Sequence, residues 1–416
     1  MKRNSILALC VLTTFGAFAQ KALVEDVDHA IGGYNSDFKA ACEKILPALT
    51  NDESKGEAKT WYVAGKANFG LYDNLLGKTQ LNPQNADPDL MGKSLLDGYK
   101  YYLTALPLDS VKQVGKDGKF KLNKDGSVKI KTKYAKDIVN SLVAHHGDYH
   151  NVASMLYDKK DFKKAAECWT VYAEMPFKGF VEREKFAVHD TIIGQIELYQ
   201  GIALWQADDL KGAVTAFANA RKHGNVSKEA FDYALSCCAN LNDIETLVGI
   251  AKEALPIYGD KDPQYINILI NDNLNKNKYD EAEKLIDEAL VKNPNSSELY
   301  NVKGLMYEQK NEADKAVACF KEAVAKDAKS SQAHFNLGRM IMKEAVALQK
   351  DMESMTPAEY VKAKDAKLIP LYNEALPYME KAFELDPENK NAKNILRNIY
   401  YQLGDEAKLQ SLENAY

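Results

Sequence analysis

The sequence has no excess of positive charge. Its 416 residues include 54 lysines and arginines against 59 aspartates and glutamates, which gives a net charge of −5. A protein that neutralises a nucleic-acid backbone usually carries a clear basic excess, so nucleic acid is not the expected partner. The proportions of hydrophobic (46%) and charged (27%) residues are ordinary for a globular protein and argue against disorder and against a polytopic membrane protein.

Cysteines are few, and none has the spacing of a metal or redox site. The sequence contains six, of which Cys10 lies in an N-terminal apolar run. The others form no Cys-x-x-Cys pair and no zinc-type pattern with histidine. We interpret them as small apolar residues of the core. They are Cys42, Cys168, Cys237, Cys238 and Cys319.

Catalytic motifs are also missing. The sequence has no P-loop, dinucleotide fingerprint, nucleophile elbow or zinc-protease helix. The one cluster that suggests chemistry is His145–His150, in which His146 and His150 are four residues apart and would share a helix face, as metal ligands do. The polar entry turn of a helix explains the same residues, and we prefer that interpretation. The sequence therefore predicts a protein with no enzymatic activity, no cofactor and no metal site.

The N-terminus has the pattern of an export signal. Lys2 and Arg3 precede an apolar run from Ile6 to Val11, and Ala17-Phe18-Ala19 supplies small residues for cleavage before Gln20. The run is too short to span a bilayer, and Cys10 lies in its middle, where lipid attachment is not expected. Residues 1–19 are therefore predicted to be a signal peptide, and the protein is predicted to be periplasmic or otherwise exported.

A repeat with a period of about 34 residues runs through the chain. Units begin at Gly194, Lys228, Pro263, Ser297 and Ser331, so that each start lies about 34 residues after the one before it. Within a unit, positions 8, 20 and 27 favour small residues, and positions 4, 7, 11 and 24 favour bulky ones. This pattern predicts two helices per unit, which approach closely at the small residues and bury the bulky ones.

The pattern resembles the tetratricopeptide repeat (TPR) family. The unit from Ser297 shows it well, with Tyr300 at position 4, Gly304 at position 8 and Phe320 at position 24. The resemblance implies an all-α, right-handed superhelical solenoid of about eight helix pairs. Two residues depart from the family pattern, because Lys303 occupies a usually apolar position and Ala328 replaces a helix-stopping proline.

The repeats predict the organisation of the whole chain. The predicted segments are a signal peptide (1–19), degenerate N-terminal units with insertions (20–145), a unit with an extended linker (146–193), four regular units (194–330), a unit with a projecting helical insertion (331–390) and C-terminal capping helices (391–416).

Three insertions interrupt the repeat. The first adds about 21 residues between Asn68 and Gly98, and we interpret it as an irregular loop because it contains Asn82-Pro83 and Asp87-Pro88. The third adds about 25 residues between Ile341 and Ala375 and is predicted to be a projecting antiparallel helix pair. Thr356 is its predicted N-cap, and Pro370 and Pro377 should kink the returning helix. The methionines of this pair indicate either a docking surface or mutual packing of the two helices.

The second insertion lies between Asp109 and His146 and contains a basic excursion, residues 112–136. A β-hairpin is predicted from Phe120 to Ile130, with a three-residue loop that sets Leu122 opposite Val128 and Phe120 opposite Ile130. Its lysines could meet an anionic lipid surface, an envelope polymer or an acidic partner. A solvated hairpin whose edges are protected by lysine is the interpretation that we prefer.

The resemblance also implies a binding groove. In the TPR family, first-helix positions 2, 5, 9, 12 and 13 face a concave groove that binds extended peptides, and amide side chains there can pair with a peptide backbone. The predicted groove residues are Gln195, Trp205, Gln264, Asn267, Asn271, Asn275, Asn301, Gln309, Phe335, Arg339 and Lys343.

These observations lead to three functional hypotheses. The first is a non-enzymatic scaffold of the bacterial envelope that binds segments of a protein partner in the groove or on the projecting helices. The alternative is a glycan- or oligosaccharide-binding accessory protein in nutrient uptake, which would use Trp205 and the groove amides. A third, which we do not favour, is an enzyme built around the His145–His150 cluster.

Overall fold

The computed structural model describes residues 20–33 and 35–414 of the chain. The described part is almost entirely helical, which confirms the predicted all-α repeat fold. It divides into two compact units, one ending at Leu247 and the other beginning at Val248. The predicted signal peptide, residues 1–19, lies outside the described residues.

The described residues of the first unit contain ten α-helical segments, three short 3-10 helices and two short strands. The helices are α1 (residues 20–30), α2 (Phe38–Thr50), α3 (Ala58–Leu81), α4 (Pro88–Asp109), α5 (Ala135–Ala144), α6 (His146–Asp158), α7 (Phe162–Glu174), α8 (Asp190–Gln206), α9 (Leu210–Lys222) and α10 (Lys228–Leu241), and the strands are β1 (Val111–Lys112) and β2 (Ile130–Lys131). Consecutive helices pack on each other in pairs, α3 on α4, α6 on α7 and α8 on α9.

Helix α11 (Ile244–Tyr258) contains the boundary between the units. The second unit continues with α12 (Gln264–Asn275), α13 (Tyr279–Lys292), α14 (Ser297–Gln309), α15 (Ala313–Lys326), α16 (Ser331–Asp351), α17 (Pro357–Ala363), α18 (Ile369–Leu385), α19 (Lys390–Leu403) and α20 (Glu406–Asn414). One hydrophobic core runs from Ile266 to Leu412.

The repeat is visible in the backbone as well as in the side chains. The residue at position 15 of five units has a left-handed conformation, with φ between 54° and 65°. The residue after it donates its N–H to a carbonyl five residues earlier, as Lys278 does to Asn273 at 2.8 Å. This turn ends the first helix of a pair and begins the second. The left-handed residues are Lys160, Asp208, Asn242, Asn277 and Asn311.

Glycines at position 8 allow the paired helices to touch. A Cβ added to Gly304 would lie 2.5 Å from the ring of Phe320, and a Cβ added to Gly201 would lie 2.5 Å from the ring of Phe217. Since no side chain fits at these distances, the predicted role of the small residues is confirmed.

The first insertion is helical, so the prediction of an irregular loop is wrong. Helix α3 runs for 24 residues and α4 for 22, and only residues 82–87 separate them. Asp87 accepts a hydrogen bond from the N–H of Leu90 at 3.1 Å, and Pro88 occupies the first turn. Proline is favoured in that turn because its missing N–H would have no helical partner. The Asp-Pro pair is therefore a helix start.

The second insertion contains three short extended segments followed by α5, a helix that the sequence did not predict. The predicted pairing of Leu122 with Val128 is confirmed, and Gly126 in the loop between them has a left-handed conformation. The other predicted pairing is wrong, because Phe120 lies opposite Val114 and Ile130 lies opposite Lys112. The segment before the hairpin supplies the third extended partner.

The third insertion forms a long antiparallel pair. Helix α16 has 21 residues, and α18 packs against it so that the Ser331 hydroxyl donates to the Ala382 carbonyl at 3.0 Å. Thr356 and Glu359 form the predicted capping box. The returning helix changes to a π-helical turn at Lys364–Leu368, immediately before Pro370. That turn accommodates a proline that lacks an N–H.

Candidate functional site

Three of the predicted groove residues form a line on α12. Asn267, Asn271 and Asn275 are spaced four residues apart, so they share one face of the helix, and all three are exposed. Within the described residues, no side-chain hydrogen bond involves any of them. Gln264, one turn earlier, is half-buried, and its side chain donates to Asp262 at 2.9 Å.

A cleft of about 640 Å³ lies beside this line of amides. Ile266 and Ile270 of α12 form one apolar wall, and Leu299 and Val302 of α14 form the other. Asn267 and Asn271 lie at the cleft together with charged side chains of both signs, Glu288, Lys292 and Glu298. The site thus combines apolar walls with amide and charged groups, as peptide-binding grooves do.

Asn301, Arg339 and Lys343 are held by neighbouring repeats. Asn336 of α16 donates to the Asn301 side chain of α14 at 2.8 Å. Arg339 donates to both oxygens of Glu308, at 2.8 and 2.6 Å, and Lys343 donates to the same carboxylate at 3.2 Å.

These bonds change the chemistry of the predicted groove. The hydrogen bonds from Arg339 outweigh the effect of burial and lower the pKa of Glu308 to about 2. The guanidinium and the carboxylate therefore satisfy each other, and Asn301 already accepts a bond. Of the remaining predicted residues in this unit, Gln309 is exposed, and Phe335 is half-buried against the core.

The two predicted residues of the first unit are also engaged. The Gln195 side chain accepts a hydrogen bond from Asn225 at 3.3 Å. The Trp205 ring is half-buried, with its centroid 5.2 Å from that of Tyr233. Only part of the indole is therefore available to a ligand.

An aromatic cleft in the first unit was not predicted. It measures about 470 Å³ and is lined by His150 and Tyr157 of α6, Trp169 of α7 and Tyr199 of α8. The Trp169 indole N–H donates to His150 Nδ1 at 3.0 Å, and the Tyr199 ring stacks on the His150 ring with centroids 6.3 Å apart. Burial lowers the pKa of His150, which agrees with an unprotonated nitrogen that accepts from the indole.

The sequence carried a signal for this cleft. In the unit that begins at His146, His150, Ser154, Tyr157 and Asp158 occupy positions 5, 9, 12 and 13, which are groove positions of the family. All four line the aromatic cleft. The predicted groove residues all lie in the regular units and the unit from Ser331, and none lies in this degenerate unit.

The three histidines between residues 145 and 150 have separate partners. His145 Nε2 lies 3.1 Å from Asp73, and His146 Nε2 donates to the Tyr172 carbonyl at 2.7 Å. Burial lowers the pKa of His145, but the hydrogen bonds to Asp73 and the Ser141 carbonyl raise it by more. The net shift of the pKa is therefore upward. In the described part of the chain, no group of three or more metal-ligating side chains converges.

The five described cysteines are free thiols. Cys168, Cys237 and Cys238 are buried, and Cys42 and Cys319 are half-buried. Burial raises the pKa of Cys168 to about 12, so its thiol is protonated at neutral pH. The interpretation of these residues as small apolar core residues is therefore confirmed.

In the projecting pair, α16 forms one arm, and α17 and α18 form the returning arm. The apolar side chains of the two arms pack mostly against each other. Met352 and Leu368 are buried between the arms. Val346 and Val361 are exposed, as is Met355 in part. Mutual packing thus explains most of the methionine stripe, and a small apolar surface remains at the far end.

No helix of the described residues is long and apolar enough to cross a membrane.

Similar proteins are found by family and by fold. The sequence model of the family described as "Tetratricopeptide repeat" matches residues 269–331. No curated protein matches the chain. Among solved structures, the MamA protein is 16% identical over 48% of this chain and 94% of its own, with a TM-score of 0.35.

Two further solved structures are similar. A TPR repeats protein from Bacteroides fragilis is 13% identical over 62% of this chain and 98% of its own, with a TM-score of 0.31. A thermophilic TPR protein from Thermus thermophilus is 18% identical over 50% of this chain and 99% of its own, with a TM-score of 0.30.

The matched segment contains α13, α14, α15 and their turns, which are the elements that show the repeat in side chains and backbone alike. TPR proteins bind protein partners, and the fold supports a general role as a protein-interaction scaffold that is typically not catalytic. Residues 269–331 thus match the tetratricopeptide repeat family by sequence, and the described chain has a helical repeat fold of that type.

Proposed function

We propose that the protein is an exported, non-enzymatic scaffold that captures an extended segment of a protein partner along α12 and the adjoining cleft. The observation that carries this proposal is the line of three exposed amides, Asn267, Asn271 and Asn275, of which the first two lie at the cleft. An extended peptide exposes backbone N–H and C=O groups, and an asparagine amide can donate to one and accept from the other.

The same arrangement supports recognition with little sequence preference. Amides that read a backbone are indifferent to the side chains of the ligand, while the walls formed by Ile266, Ile270 and Leu299 accept apolar side chains of many shapes. The paired charges of Glu308 and Arg339 contribute rigidity between repeats, since they already satisfy each other. We therefore place the principal contacts on α12 and the walls of the cleft.

The proposal is tested by selecting binders from a phage-displayed peptide library against the chain lacking residues 1–19. We expect the selected peptides to bind the double variant Asn267→Ala/Asn271→Ala about tenfold to a hundredfold more weakly, because each lost hydrogen bond contributes about 1 kcal/mol. The matched control is Asn219→Ala/Asn373→Ala, which removes two exposed amides from α9 and α18. Fluorescence polarisation gives the affinities.

Equal binding to wild type, control and groove variant would show that peptides use another surface. The same peptides should then be tested on a variant of the projecting pair, Val346→Ser/Val361→Ser, because both side chains are exposed. Loss of binding in that variant alone would place the partner site on the projecting helices.

A glycan ligand is the second candidate, and the aromatic cleft favours it. Sugar rings stack on aromatic faces, and His150, Tyr157 and Tyr199 supply three partly exposed rings around one space, next to the buried Trp169. If the peptide selection yields nothing, a glycan array is the next measurement. Binding that is lost in Tyr199→Ala but kept in Tyr401→Ala, an exposed tyrosine of α19, would support this candidate.

Export is the remaining part of the proposal. It rests on the pattern of residues 1–19 and is checked by N-terminal sequencing of the mature protein from the envelope fraction, which should begin at Gln20.

A further inference from the structure

The basic excursion, residues 112–136, carries an apolar face that none of the described residues of its own unit covers. Val114, Phe120, Leu122 and Ile130 are between 51% and 60% exposed. None of the four belongs to a hydrophobic core of the first unit or packs against one. Four large apolar side chains in water within so short a segment indicate an interaction surface.

The backbone pairing places these side chains on one side. Val114 lies opposite Phe120, Leu122 opposite Val128, and Ile130 opposite Lys112. Residues directly opposite each other, and residues two apart on one strand, project from the same face of a sheet. The four exposed residues and the half-buried Val128 therefore form a single apolar face.

A ring of backbone hydrogen bonds makes this face a defined structure. Lys121 N–H donates to Gln113 O at 2.9 Å, Gln113 N–H donates to Lys129 O at 2.9 Å, and Lys129 N–H donates to Lys121 O at 2.7 Å. The three extended segments are thus joined in a closed triangle. The apolar side chains keep their relative positions because the backbone beneath them is paired.

A buried carboxylate fixes the base of the excursion. Asp109, the last residue of α4, is 5% exposed and accepts hydrogen bonds from the backbone N–H groups of Lys133, Tyr134 and Ala135 at 2.7 to 2.9 Å. The Tyr134 ring also stacks on Tyr62 of α3, with centroids 4.4 Å apart. The excursion is therefore tied to the helices α3, α4 and α5.

The charge of the excursion is opposite to that of the rest of the chain. It contains nine lysines and two aspartates, a net charge of 9 − 2 = +7, so the other residues sum to −5 − 7 = −12. All nine lysines are exposed. An anionic surface would attract this segment and repel the remainder, which would orient the molecule with the excursion towards the surface.

We infer that the apolar face and the lysines of the basic excursion bind the surface of an anionic lipid bilayer. A bilayer interface offers phosphate groups for the lysines and an apolar phase, a few ångströms deeper, for Phe120, Leu122 and Ile130. A water-soluble anionic polymer offers only the charges. The positive charges and the apolar face lie close together, since the Lys112 ammonium is 5.5 Å from the centroid of the Phe120 ring.

The inference is tested by flotation of the chain lacking residues 1–19 with vesicles of phosphatidylcholine and phosphatidylglycerol in a 7:3 ratio. We expect binding to these vesicles and none to pure phosphatidylcholine. The apolar variant Phe120→Ser/Leu122→Ser/Ile130→Ser keeps every charge and should bind at least tenfold more weakly. The charge variant Lys116→Gln/Lys119→Gln/Lys124→Gln should lose about a hundredfold, since each lysine at an anionic surface contributes about fivefold.

Two controls make the result decisive. Lys252→Gln/Lys284→Gln/Lys390→Gln removes three exposed lysines elsewhere and should bind like wild type. Binding to soluble polyphosphate, measured in parallel, should be the same for wild type and the apolar variant. If the apolar variant floats as well as wild type, the lysines alone account for the binding, and the inference that the apolar face enters the bilayer is wrong. Absence of flotation by wild type overturns it equally, whatever the outcome for the peptide groove.

Discussion

The Glu308 carboxylate joins α14 to α16 through Arg339 and Lys343. Because the pKa of Glu308 is lowered to about 2, its contribution to stability is fully present above the ordinary pKa of about 4.5 and is lost as the pH falls towards 2. We expect Glu308→Gln to lower the free energy of unfolding at pH 7 by roughly 2 kcal/mol. The difference from wild type should shrink at pH 3 and vanish near pH 2.

Urea unfolding followed by circular dichroism at pH 7, 4 and 3 measures this difference. Glu344→Gln, which changes an exposed glutamate of the neighbouring helix α16, is the control and should differ from wild type by less than about 0.5 kcal/mol at each pH. A Glu308→Gln deficit that stays constant down to pH 3 would mean that packing, and not the ionised carboxylate, holds the repeats together.

At the scale of residues, the predicted groove positions differ in whether their side chains are free or paired. Asn267 and Asn271 are exposed as expected, whereas Asn301 and Arg339 are paired with Asn336 and Glu308. Groove positions are assigned within one repeat at a time, but the Asn301–Asn336 and Glu308–Arg339 pairs form between the first helices of successive repeats. Which side chains meet across that gap depends on the rotation of one repeat against the next, and a single sequence does not supply that rotation.

Helix pairs depend on the absence of a side chain at position 8. In the pair α14 and α15, a Cβ on residue 304 would lie 2.5 Å from the ring of Phe320, which is fully buried. Gly304→Ala gains helix propensity of about 1 kcal/mol but forces the ring to move at a cost of about 1–3 kcal/mol. We expect a net destabilisation of roughly 1 kcal/mol, measured by urea unfolding.

The matched control is Gly249→Ala in α11. Gly249 is exposed, and an added Cβ would have no described neighbour within 4 Å apart from adjacent residues and the backbone of its own helix. Only helix propensity operates there, so this variant should be more stable than wild type by about 0.5–1 kcal/mol. Opposite signs for the two substitutions support the contact with Phe320. A stabilised Gly304→Ala would show that α14 and α15 can separate at little cost.

At the scale of elements, the regular repeats were predictable and the insertions were only partly so. The sequence analysis predicts a helix start at Thr356-Pro357 and a loop at Asp87-Pro88. In the structure, both pairs begin helices with a side-chain cap. The local signal was the same in both places. The first insertion was misjudged because its length was attributed to a loop, although α3 and α4 could absorb it by growing together.

The excursion shows a different limit. The hairpin turn at Gly126 follows from local chemistry, which fixes the pairing of Leu122 with Val128. The third partner, residues 111–114, comes from before the hairpin and competes for the same backbone groups. Local turn rules do not describe such competition. The exposure of the apolar face likewise depends on Asp109, which directs the whole excursion from its base.

For the whole molecule, the repeat period was the most informative feature, because stacked repeats bury a continuous core only if every unit has the same geometry. The residue at position 15 is left-handed in five units, from Lys160 to Asn311. The units therefore share a backbone conformation as well as a side-chain pattern. The division at Leu247 has no counterpart in the period and was not predicted.

Helix α19 covers apolar surface of the helices that precede it. Ala392, Leu396, Ile399 and Tyr400 of α19 are buried, and the Tyr400 hydroxyl donates to Glu380 of α18 at 2.9 Å. A chain that ends at Asn389 would expose the apolar surfaces of α16 and α18 that α19 now covers. We expect the melting temperature of the second unit to fall by roughly 10 °C, because several buried side chains contribute about 1.5–3 kcal/mol each.

A shorter truncation is the control, since α20 buries only Leu412 among its described residues. A chain that ends at Gly404 should therefore lose much less stability and keep the oligomeric state of the full chain, whereas the chain that ends at Asn389 should bind a hydrophobic dye and associate with increasing concentration. Calorimetry and light scattering distinguish these outcomes. If both truncated chains melt like the full chain, α19 does not act as a cap, and the array ends at α18.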